Sequence, residues 1–161
     1  MNAMVRHHGR APVGHLCELG SVEASAVVSL RRWCEGPDEQ ARVWTDFATA
    51  LGSERGRAAL QAFEGLCDLC LRYGRRPLMR QPLSCKCLSG DEAWFASFVG
   101  YASEGQTEDA LMLALALVRP DVAPMVVGLA QEAGMALRQM ALRKEPANRA
   151  AHQKIRTNTL H

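Results

Sequence analysis

Long apolar runs are missing from this sequence. No stretch approaches the roughly 20 uninterrupted apolar residues that span a bilayer, so no membrane helix and no membrane partner is expected. The opening MNAMVRHHGRAPVGHLCELG is basic and bears histidines, but it lacks the apolar centre of a secretory leader. The expected setting is therefore cytoplasmic and reducing. There cysteines serve as thiols, metal ligands or catalytic groups more often than as permanent cross-links. Charge of one sign is scarce too: the formal charge is +2 and the pI near 8.3. That balance is too mild to argue for nucleic acid or membrane surfaces, which need many clustered cations.

Also lacking is the sustained polar–apolar alternation of a half-buried strand, which leaves an all-α fold. Catalytic signatures are missing as well. There is no glycine-rich phosphate loop, no serine-centred nucleophile elbow and no helix with two histidines flanking a glutamate. A non-enzymatic role is favoured over an enzyme.

What is present is helical periodicity. Val22, Ala26, Leu30 and Trp33 follow one helical face after Ser21, a candidate cap, and Gly36-Pro37 end the segment. A second helix from Asp38 carries Val43, Phe47 and Leu51 and closes at Gly52. Ser53 can cap a third, with Leu60, Phe63, Cys67 and Cys70 on one face and Gly74 as its stop. Ser89 and Glu92 make a capping box for a helix bearing Trp94, Phe95, Phe98 and Tyr101. Thr107, with Glu108 and Asp109 in the first turn, opens a helix through Leu111, Leu115 and Val118 that Pro120 ends.

The last long helix starts between Asp121 and Pro124. Met125, Leu129, Ala133, Leu137 and Met140 line one side, and Gly128 and Gly134 leave room for a close neighbour, which gives a homodimer contact a place. The expectation is a single-domain antiparallel bundle of about six helices over residues 15–143. A flexible arm (1–14) precedes it and a polar tail (144–161) follows. Residues 75–88 hold two prolines and no stripe, and they read as an ordered, tethered loop.

Four of the six cysteines fall between residues 67 and 87, in CDLCLRYGRRPLMRQPLSCKC. Cys67 and Cys70 extend the stripe of Leu60 and Phe63, so core packing alone accounts for them. Cys85 and Cys87 have no such stripe. Tetrahedral zinc takes four thiolates at about 2.3 Å, and two pairs, one of them on a helical turn, can meet that geometry across the 71–84 connection. The leading expectation is a structural zinc site with four thiolate ligands, Cys67, Cys70, Cys85 and Cys87. An iron–sulfur cluster, no cofactor at all, and a redox dithiol built from either pair remain as alternatives. The single residue between Cys85 and Cys87 is tighter than usual zinc spacing.

Arg72, Arg75, Arg76, Arg80 and Lys86 surround these thiols and would favour their ionised form. The same cations make a candidate surface for an acidic protein or for nucleic acid, against the plainer reading of a solvated charged loop. His15 and Cys17 have ligand chemistry and could join such a site, as could His7 and His8. The function these features imply is a small zinc-held regulatory or adaptor protein. The alternatives are a thiol redox sensor or oxidoreductase and a nucleic-acid-binding regulator.

Overall fold

Helices form where the apolar spacings fall. The computed structural model describes residues 11–157. Its α-helices are α1 (Ser21–Glu35), α2 (Pro37–Leu51), α3 (Ser53–Arg72), α4 (Gly90–Ser103), α5 (Thr107–Leu117) and α6 (Ala123–Thr157). Gly36 and Gly52 sit at positive φ, 121° and 86°, between the first three helices, where a side chain would be strained. They let α1 turn into α2, and α2 into α3, with almost no loop. Ser21 and Ser53 cap nothing: Gly20 and Gly52 hold those N-cap positions, and neither offers a side-chain hydrogen bond. Ser89 is a true cap and forms the full box with Glu92.

The bundle is organised around α6, which packs against each of the other five helices. Ala123, Ala130, Ala133 and Ala136 are buried along it beside Val126, Val127, Leu137 and Met140. Small side chains permit such many-sided approach, because neighbouring backbones come near without steric conflict. Opposite them lie Val43, Phe47, Phe63, Leu66, Phe95 and Phe98, all essentially inaccessible. Trp33 meets Phe63 edge-on, with ring centroids 6.2 Å apart and planes at 86°, a favoured aromatic geometry.

Several expectations need correction. A two-stranded antiparallel ribbon exists: β1 (Pro12–His15) pairs with β2 (Cys87–Ser89), with a bulge at Val13. Strands this short carry too few residues for alternation to register. Residues 12–14 therefore belong to the fold; residues 1–10, with His7 and His8, lie outside the described residues. At the other end α6 continues through Pro146 to Thr157. The Ala-, Lys- and Arg-rich segment after Lys144 favours helix by intrinsic propensity although it has no apolar stripe. Residues 158–161 of the expected tail lie outside the described residues.

On α5 the buried residues are Ala110 and Ala114, followed by Val118; Leu115, expected in the core, is exposed. A helix apolar all round has no period from which to read a face. Met125, Trp94 and Tyr101 are exposed as well. No described helix is long and apolar enough to cross a membrane.

The two glycines of α6 behave differently. A Cβ at Gly134 would stand 2.8 Å from Ser103 Cβ of α4, so the close approach expected there is made within the chain. At Gly128 a Cβ would meet nothing within 4 Å. Gly128→Ala is therefore expected to stabilise the protein by about 0.5–1 kcal/mol, through helix propensity alone. Gly134→Val should destabilise it by about 1–3 kcal/mol through overpacking. Urea unfolding midpoints of the two variants check the opposite signs.

Candidate functional site: a cysteine strap anchored on a buried arginine

Between α3 and α4 the chain runs as a long strap, and its hydrogen bonds lead to two acids and one arginine. Arg31 of α1 is fully buried, as is Glu92 in the first turn of α4. Arg31 Nε and Nη2 donate to the two Glu92 carboxylate oxygens at 2.6 and 2.9 Å. Its remaining N–H groups donate to strap carbonyls: Cys85 at 2.6 Å, Pro82 at 3.3 Å and Cys87 at 2.6 Å. All five guanidinium donors are thus used, as a buried cation requires.

Glu92 is equally occupied. Besides Arg31 it accepts the Gln81 N–H at 3.0 Å and the Ser89 N–H at 2.9 Å. Burial opposes its ionisation, but the Arg31 hydrogen bonds and the two backbone donors prevail and hold the carboxyl below the usual glutamate range.

Asp91, also buried, fixes the other end of the strap. It accepts the Met79 N–H at 2.7 Å and pairs with both terminal nitrogens of Arg76. Ser89 Oγ donates to the Met79 carbonyl at 2.8 Å while accepting the Glu92 N–H at 3.1 Å. Near α5, Gly74 bridges to Val118, and Arg75 Nε donates to the Leu115 carbonyl at 2.6 Å. The acids of SGDEAW therefore do more than cap a helix. They tether the loop whose order the sequence had assigned to a metal.

The four expected ligands are not brought together. Cys67 and Cys70 lie inside the core, 0% and 3% exposed, whereas Cys85 and Cys87 sit half-buried on the strap. Among the described residues no group of three or more His, Cys, Asp or Glu side chains is arranged to hold a metal ion. The expected four-thiolate arrangement is thus not formed, because Cys67 and Cys70 serve as apolar filler on α3. Burial pushes the Cys67 thiol well up, helped by nearby Cys70 and Cys34, and pushes Cys70 up to about 12. Neither is a reactive thiol at neutral pH.

Cys85 and Cys87, by contrast, are in contact. The Cys87 N–H donates to Cys85 Sγ at 3.3 Å. Hydrogen bonding to Cys85, then its charge, raises the Cys87 thiol against the opposing pull of Arg31. His15 stands directly across the ribbon from Cys87, and Cys17 is exposed in the adjoining 3-10 turn (Leu16–Glu18). Cys34 is half-buried against the core.

The expected basic cluster is dispersed and largely paired. Arg72 pairs with Asp68, Arg76 with Asp91, and Arg80 with Glu35. Arg75 serves the Leu115 carbonyl, and Lys86 is exposed. Arg31, the residue that organises the strap, sits on α1 next to Leu30 of the apolar stripe. An arginine inside a wide apolar face was its one sequence signal. An open cleft of about 650 Å³ lies where Glu35, Pro37, Asp38 and Glu39 face Pro82 and Leu83 of the strap.

With this geometry in view, no family model, no curated protein and no solved structure matches the chain.

Glu92→Gln should cost about 3–5 kcal/mol, since it leaves a buried guanidinium without its counter-charge. A carboxyl held below its unfolded pKa contributes stability that is present above that unfolded value and is lost as pH falls through the folded one. The gap between wild type and Glu92→Gln should therefore be full at pH 7 and shrink below the usual glutamate range, near pH 4. Urea unfolding at a series of pH values measures it; a gap that stays constant into acid would refute the assignment.

Proposed function

We propose that this protein is a non-enzymatic helical adaptor or regulatory module that works through protein–protein contact, with α5 as the contact helix and a second copy of the chain as its occupant. The observation that carries this reading is the run from Leu111 to Val118, which has no polar residue although α5 lies at the surface. A helix apolar all round ordinarily lies inside a fold. Here only the alanine edge of α5 is buried; Met112 is 71% exposed and Leu115 37%. Trp94 lies alongside, its indole N–H donating to the Leu113 carbonyl at 3.0 Å, and is 43% exposed. Exposed apolar side chains gathered on one element mark interaction surfaces.

Charge favours a second copy as the occupant. Exposed Glu108 and Asp109 lie in the first turn of α5, while exposed Arg75 stands at its far end, where Arg119 already pairs with Asp121. Two such helices packed antiparallel about a two-fold axis would set the acids of each against Arg75 of the other. The contact earlier expected on the glycines of α6 has less support, since Gly134 is already filled by α4. The acidic-partner and nucleic-acid readings of the loop also have less, because Arg72, Arg76 and Arg80 already face carboxylates.

Sedimentation equilibrium over a concentration series tests the proposal. The wild type should be a dimer that weakens with added salt, and Met112→Glu should be monomeric, with the unfolding midpoint that the wild type shows when diluted to monomer. A wild type that stays monomeric at all concentrations, or a Met112→Glu variant that still dimerises, would overturn it.

A further inference from the structure

Leu16 N–H donates to the Lys86 carbonyl at 2.9 Å, and the Cys85 N–H donates to the Pro82 carbonyl at 3.0 Å, so the strap is bent just before Cys85 and held between Cys85 and Cys87. The carbonyls of these two residues point inward to Arg31. The Cys87 N–H reaches Cys85 Sγ at 3.3 Å, and both residues are half-buried. We propose that Cys85 and Cys87 form a reversible thiol–disulfide pair whose oxidant is a hydroperoxide. This inference stands apart from the docking role of α5.

Geometry divides the roles. The Cys87 N–H is directed at Cys85 Sγ, and hydrogen bonding to Cys85 raises the Cys87 thiol. Cys85 is thus the attacking sulfur and Cys87 the resolving one. After Cys85 loses its proton to solvent, its thiolate attacks one peroxide oxygen. An S–O bond forms, the O–O bond breaks, and the leaving alkoxide takes a proton to become an alcohol, or water if the oxidant is hydrogen peroxide. Cys87 sulfur then attacks Cys85 Sγ: the S–S bond forms, the S–O bond breaks, and hydroxide leaves as water with the Cys87 proton. Two electrons pass from the sulfur pair to the peroxide. Cα atoms two positions apart are separated by at most about 7 Å, which borders the range a disulfide spans.

The other cysteines do not compete on equal terms. Cys67 and Cys70 are buried with raised pKa values, and burial raises Cys34 as well. Cys17, exposed nearby on the 3-10 turn, is the rival and defines the control.

Full-length protein treated with about one equivalent of hydrogen peroxide should become about 2 Da lighter, regain its mass with dithiothreitol, and yield a peptide bridged between Cys85 and Cys87. Cys17→Ser should behave like wild type. Cys87→Ser should instead gain about 16 Da at Cys85 as a sulfenic acid that a dimedone probe captures. The idea fails if the bridge includes Cys17, if no such mass loss occurs, or if bound zinc shields both thiols until a chelator is added.

Discussion

A buried guanidinium holds this fold together at its least regular point. Moving Arg31 out of water is costly unless every donor finds an acceptor, and here each does: two carboxylate oxygens of Glu92 and three carbonyls of the strap. The requirement works in both directions. The strap has no helix or sheet to absorb most of its polar backbone, and Arg31 needs carbonyls; each satisfies the other. Because Arg31 belongs to α1 and Glu92 to α4, the same group also joins two helices of the bundle.

From that constraint the placement of the cysteines follows. Residues 85–87 are pinned by their carbonyls, and the half-buried Cys85 and Cys87 stay side by side, the Cys87 N–H directed at Cys85 Sγ. Cys67 and Cys70 belong to a different environment, the packed face of α3 beneath Phe63 and Leu66, where a thiol is one more apolar group. Four residues of one type thus divide by burial into two chemically unlike pairs.

Much of the architecture was legible beforehand. Stripes such as Val43, Phe47 and Leu51, or Phe63, Cys67 and Cys70, recur at helical spacing and are buried as their spacing implies. Gly52 and the Ser89–Glu92 box marked helix ends through local backbone chemistry. Legibility failed where local pattern carries no direction. On α5 apolar residues surround the axis, so the choice of Ala110 and Ala114 over Leu111 and Leu115 as the inward edge depends on how near α4 and α6 approach. The ribbon of β1 and β2 was invisible because its partners are remote in sequence and only a few residues long.

By itself the sequence determined the helical class, most helix ends and an ordered loop between the third helix and the capped fourth, since propensity, capping and periodicity act over a few neighbouring residues. Only the tertiary structure decided what orders that loop. Two pairs of thiols at permissive spacing suggest an ion, and an arginine far upstream leaves no local sign that its guanidinium takes up the carbonyls of the strap. Whether distant groups meet is a matter of packing in three dimensions, and no period along the chain records it.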